Sequence, residues 1–114
     1  MTQEPHTAAP ADPISISTQS ELASAVSKYD VVLADFYADW CGPCRMLEPT
    51  LETVAAETSA AVVKVDVDRF QQLAAQYQVQ GVPTLVLFAD GEPVERLVGV
   101  QTGDQLASLI ETHS

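Results

Sequence analysis

Residues 31–38, VVLADFYA, are apolar on both parities and are interrupted by a single carboxylate, Asp35. A strand with one wet face alternates apolar with polar. One that does not alternate is covered on both faces, which places it at the centre of a sheet between two layers. The remaining chain supplies those layers. Residues 14–17 alternate as a short strand does, and Thr18 with Glu21 fits a capping box ahead of Leu22, Ala25, Val26 and Tyr29, spaced as one face of a helix. Leu47, Leu51, Val54, Ala55 and Thr58 mark a second helix that Pro49 must kink by deleting a hydrogen bond. Residues 61–67, AVVKVDV, read as a strand, and Phe70, Leu73, Ala74 and Tyr77 as a third helix. Residues 84–89 and 93–98 flank an Asp90-Gly91 turn as an antiparallel hairpin, with Pro93 suited to an edge strand. Leu106, Leu109 and Ile110 share a face of a last helix that follows residues 102–104. The order βαβαβαββα predicts an α/β domain with a mixed sheet, parallel in its first half through right-handed crossovers, and helices on both faces.

Chemistry concentrates where the central strand hands over to the second helix, in the run Trp40-Cys41-Gly42-Pro43-Cys44. Two cysteines separated by two residues close almost no loop, so stapling the fold is not their purpose. A CxxC pair beside a βαβ pattern is a signature of thiol redox chemistry. A thiol in the first turn of a helix faces unpaired backbone N–H groups and the positive end of the helix dipole, which favours thiolate. Cys41 is therefore the expected nucleophile, accessible and anionic. Cys44, one turn along, is in reach to resolve a mixed disulfide on Cys41. Gly42 permits close approach, and Pro43 presets φ near the helix start. Structural zinc needs four ligands, and His6 and His113 at the two ends of the chain do not complete a set with one CxxC pair.

Asp35 would be costly to bury ionised. It is expected to have a raised pKa and to accept the Cys44 proton, unless its carboxyl reaches water or a cap instead. Lys64, the lone cation in AVVKVDV, either pairs with Asp35 across neighbouring strands or sits on an exposed strand position. Residues 81–84, Gly-Val-Pro-Thr, form either a plain turn or a cis-proline entry turn whose backbone edge can receive an extended peptide.

The runs DFYADWCGPCR, VKVDVD, GVPTLVLF and the late DGE with LVG, in this order, resemble the thioredoxin family over residues 14–112. The resemblance implies a five-stranded mixed sheet flanked by four helices. It also implies reduction of disulfides in client proteins, recharging by a thioredoxin reductase, and no bound cofactor. Carried over residue by residue, it makes Cys41 the attacking thiol, Cys44 the resolving thiol, Asp35 the buried proton acceptor with Lys64 nearby, and Pro83 a cis proline. Trp40, Gly42, Pro43, Val82, Val98 and Gly99 fall in the ring where partners dock, with Val67 at its margin. Tyr37, where many members carry a second tryptophan, and Arg45, where lysine is frequent, depart from the commonest pattern and are expected to stand apart from the chemistry. The rival class is a binding module, an assembly or chaperone subunit whose thiols are incidental. Intact CGPC with Asp35 and Pro83 argues against it. A Gly-Pro pair between the cysteines likewise favours a reductant over an oxidant or isomerase.

Sixteen acidic against five basic residues give a net charge of -11, which opposes binding to nucleic acid and to anionic membranes. Such acidity fits either an ordinary cytosolic protein or one adapted to concentrated salt. Residues 1–13 lack the charged and apolar regions of a signal peptide and read as a flexible tail before a domain at 14–114, so the expected setting is the cytoplasm and the expected state a monomer.

Overall fold

The computed structural model describes residues 8–114. Strands β1 (Ile14–Ser15), β2 (Val31–Tyr37), β3 (Ala61–Asp66), β4 (Thr84–Ala89) and β5 (Glu92–Val98) alternate with helices α1 (Ser20–Lys28), α2 (Gly42–Glu57), α3 (Gln71–Gln76) and α4 (Gly103–Thr112). They form one five-stranded sheet in the order β1-β3-β2-β4-β5, with β2 at its centre. β1 and β2 pair with β3 in parallel, whereas β4 runs antiparallel to both β2 and β5.

Period two along β2 divides the interior. Val32, Ala34 and Phe36 join Ile16, Leu22, Val63, Phe70, Leu73 and Phe88 under α1 and α3. Val31 and Leu33 join Leu47, Leu51, Val54, Val62, Leu85, Leu106 and Ile110 under α2 and α4. Asp35 shares the parity of Leu33 and so points to the α2 side. This double coverage is what the apolar run in β2, broken only at Asp35, requires.

The ends of the elements differ from the sequence expectation in instructive ways. β2 stops at Tyr37 because the Ala38 carbonyl turns to accept the Cys41 N–H at 3.2 Å. At α1, Thr18 does not close a capping box. The Glu21 carboxylate accepts the Ser17 N–H at 3.0 Å and the Thr18 hydroxyl at 3.3 Å, while Gln19 takes the N-cap position without a side-chain bond. The complete box is at α4, where Thr102 accepts from the Gln105 N–H at 3.1 Å and Gln105 Oε1 accepts from the Thr102 N–H at 3.0 Å. α2 runs as one helix through Pro49, which is exposed. On β5, Pro93 pairs with Phe88 and Glu95 with Leu87, so Val94 is an extra residue at a bulge in the edge strand.

Residues 1–7 of the expected tail lie outside the described residues. Residues 8–13 are irregular, and Ala9 packs against the α1 and α3 side of the core. No helix among the described residues is long and apolar enough to cross a membrane.

The two threonines near helix starts give a paired expectation. Thr102→Ala should lower the unfolding free energy by about 1 kcal/mol, the usual worth of a closed cap, and Thr18→Ala by a few tenths. Urea denaturation midpoints measure both, and equal losses would contradict the assignment of the caps.

Candidate active site

The turn after β2 delivers Cys41 to the N-cap of α2 with extended backbone, φ -89° and ψ 111°. Its sulfur accepts the backbone N–H of Cys44 at 3.2 Å, using one of the donors that a helix start leaves unpaired. Gly42 and Pro43 occupy the first two helical positions, where the missing proline N–H removes nothing from the helix. Cys41 and Cys44 are joined in a disulfide with their Cα atoms 5.3 Å apart. In this oxidised form the two residues are 4% and 3% exposed, so exposure does not set Cys41 apart. Position does, because Cys41 Sγ also lies 3.7 Å from the Val82 carbonyl oxygen of the opposite loop.

That loop carries a cis Val82–Pro83 peptide leading into β4. Thr84, buried at its start, donates its hydroxyl to the Gly81 carbonyl at 2.6 Å, and the Pro83 carbonyl accepts the Gly99 N–H at 2.8 Å. Val98 pairs with Thr84 across the β4–β5 ladder. The 81–84 loop and the end of β5 therefore meet beside the sulfurs. Val82, Val67 and Tyr37 pack against the cluster of Ala38, Cys41 and Cys44. Pro83 is buried, Gly42 and Gly99 half-buried, and Pro43 exposed. Trp40 and Val98 stand out as exposed apolar groups at 69% and 65%, and Trp40 donates its indole N–H to Asp68 Oδ2 at 2.9 Å.

Asp35 is fully buried, and neither of its carboxylate oxygens has a hydrogen-bond partner. Burial pushes its pKa up from 3.8 to about 7, against a smaller downward pull from Lys64 and with a further upward push from Glu48. Lys64 does lie directly across from Asp35 in the β2–β3 register. Its ammonium nevertheless turns elsewhere, donating to Glu48 Oε1 at 3.1 Å while lying 4.3 Å from the centre of the Tyr37 ring. Of the two placements open to Lys64 from the sequence, direct pairing with Asp35 is not made, and its ammonium joins Glu48 and Tyr37 in a three-membered cluster. Tyr37 does not stand apart from the site: it contacts the cysteine cluster and the Lys64 cation, and burial raises its own pKa. Arg45, by contrast, reaches back to the Asp39 carbonyl at 2.6 Å and braces the turn.

Two further contributors, Glu48 and Asp68, emerge only from the structure. A signal for Glu48 existed, since it follows Cys44 by four residues and so lies one turn along the same helix. Asp68 gave none, because its bond to Trp40 joins positions 28 residues apart.

The Thioredoxin family model matches residues 13–112. A thioredoxin of Chlamydia trachomatis is 45% identical over 101 residues, covering 88% of this chain and 98% of the relative. One from Staphylococcus aureus is 47% identical over 85 residues, covering 73% and 82%. Among solved structures, a mutant thioredoxin from Halobacterium salinarum NRC-1 superposes with a TM-score of 0.89 at 61% identity, covering 94% of this chain and 95% of that one. A helix-capping cysteine bonded to its neighbour one turn on, set in this fold and matched along nearly its whole length, leads to one conclusion: the chain belongs to the thioredoxin family, whose chemistry is dithiol–disulfide exchange.

Proposed function

We propose that this protein reduces disulfides in client proteins, with Cys41 as attacking thiol, Cys44 as resolving thiol and Asp35 as proton acceptor. The observation that carries this reading is the Cys41 sulfur at the N-cap of α2, accepting the Cys44 N–H. The same N–H and the helix dipole stabilise negative charge on Cys41 in the reduced protein, which supports its role as the attacking thiolate. In the first step the Cys41 thiolate attacks a client sulfur. A Cys41–client bond forms, the client disulfide breaks, and one client thiolate leaves. In the second, Cys44 gives its proton to the Asp35 carboxylate and attacks Cys41 Sγ. This releases the second client thiolate and leaves the Cys41–Cys44 disulfide. Restoring the dithiol takes two electrons and two protons, which a thioredoxin reductase supplies.

Trp40, Gly42, Pro43, Val82, Val98 and Gly99 form the docking surface. The exposure of Trp40 and Val98 supports an apolar landing area. Pro83 shapes the loop that offers its backbone edge to an extended client segment, and Lys64 tunes Asp35. The setting is the cytoplasm. The acid excess supports adaptation to concentrated salt, where screening relieves the repulsion of a chain at -11.

The redox roles divide cleanly between variants. Wild type should precipitate insulin in the presence of dithiothreitol while Cys41→Ser falls to background, and Cys44→Ser should accumulate clients bound through Cys41. Equal insulin rates, or no trapping on Cys44→Ser, would remove the roles assigned to the sulfurs.

A carboxyl with a pKa near 7 in the folded chain and 3.8 outside it binds more protons folded than unfolded across that interval. Its stabilising contribution is therefore present below pH 3.8 and lost as pH rises through 7. Asp35→Asn should accordingly be more stable than wild type at pH 8, by up to about 4 kcal/mol, with the gain shrinking toward pH 4. The same variant should slow the resolution step by about a hundredfold above pH 7 while leaving the first attack little changed. Denaturation curves at both pH values and stopped-flow kinetics of the two steps check these outcomes. An unchanged resolution rate would return Asp35 to a purely structural part.

For the salt reading, raising KCl from about 0.1 to about 1 M shortens the Debye length from about 10 to about 3 Å and should raise Tm. A flat or falling Tm would remove that reading.

A further inference from the structure

Lys64 is the only side chain given a charge opposite to Asp35 at a facing strand position among the described residues, and the fold does not let the two meet. They are register partners on β2 and β3, on the face covered by α2. A lysine stem from that position has the length to lean inward over Asp35 or outward to solvent. It leans outward. Its ammonium is bonded to Glu48 at 3.1 Å, its side chain keeps only 15% exposure, and the Tyr37 ring supports it from the side. The pair lies in a surface cleft of about 280 Å³ that Asp12 and Glu52 also line, so further carboxylates stand on the outward side. Asp35 is left with neither oxygen bonded.

We propose that Glu48 is a positioning residue for the resolution step: by holding the Lys64 ammonium outward it keeps Asp35 from forming an ion pair, and so leaves the carboxylate free to take the Cys44 proton. An Asp35–Lys64 ion pair would make the carboxylate a weak base. With the lysine ammonium engaged by Glu48, burial remains the dominant influence. The other groups that bear on Asp35 do not supply this control. Tyr37 on its own strand acts on the Lys64 cation, β4 presents Leu85 opposite, and the Cys41 and Cys44 sulfurs of α2 do not titrate in the oxidised chain. This inference rests on the reading of Asp35 as proton acceptor, but its test can be separated from that reading.

The test follows the Asp35 carboxyl through a pH titration of the oxidised protein by carbon-detected NMR, in wild type, Glu48→Gln, Lys64→Met and the double variant. Glu48→Gln should lower the midpoint by about one pH unit, and the pH profile of client release should move with it. Placed on the Lys64→Met background, the same substitution should move the midpoint by less than half as much, because the cation it positions is gone. An unshifted midpoint in Glu48→Gln overturns the proposal. So does an equal shift in both backgrounds, which would make Glu48 a simple charge acting directly on Asp35. The titration reads Asp35 whether or not it serves the chemistry, so failure of Asp35→Asn to slow resolution would be a distinct result.

Discussion

An ionised carboxylate buried in a sheet without a hydrogen-bond partner is destabilising by roughly several kcal/mol, and Asp35 sits in such a position toward the end of β2. The fold tolerates it because β2 is flanked by β3 and β4 and covered above and below by apolar clusters that supply the compensating burial. The neighbourhood then depends on how that one group is kept unpaired. Lys64 is directed away from it, Tyr37 lies beside the diverted cation, and Leu85 presents no polar side chain from the other strand. Replacing Asp35 by an apolar residue would simplify the interior and discard the only buried titratable carboxyl among the described residues.

The sulfur pair is governed by different interactions, those of the helix start. Cys41 uses an N–H that the first turn of α2 cannot satisfy internally, and Pro43 removes a second donor from the same turn. The opposing loop reaches the sulfur through the Val82 carbonyl, and the end of β5 holds that loop through the bond from Gly99 to Pro83. Three distant stretches of chain thus meet at one end of the sheet, near the carboxyl ends of the parallel strands β2 and β3, as ligand-binding regions of α/β sheets do.

Much of this architecture is readable from residue patterns. The two-sided burial of β2, the hairpin at Asp90-Gly91, the placement of the CxxC pair at a helix start and the edge position of Pro93 follow from local rules about period, turns and backbone donors. What escapes those rules depends on where long side chains go. Thr18 and Glu21 have the spacing of a capping box, yet the carboxylate reaches the Ser17 N–H and leaves the reciprocal bond unmade. Lys64 has the register of a partner for Asp35, yet a carboxylate from α2, sixteen residues earlier in the chain, captures it. Flexible ammonium and carboxylate groups choose among several partners by small differences in energy, which residue spacing does not encode. Tyr37 is hard to place for a related reason: its ring matters through the cation it supports, which local sequence does not reveal.

The margins of the sheet have their own consequence. β1 is two residues long, and β5 carries a proline and a bulge among charged side chains. A ribbon of unpaired amides long enough to template a further strand is therefore missing from both borders. Any protein that meets other chains is exposed to fibril-like stacking wherever such a ribbon is free. Here a two-residue border on one side and a bulged, proline-bearing border on the other withhold that template and discourage polymerisation.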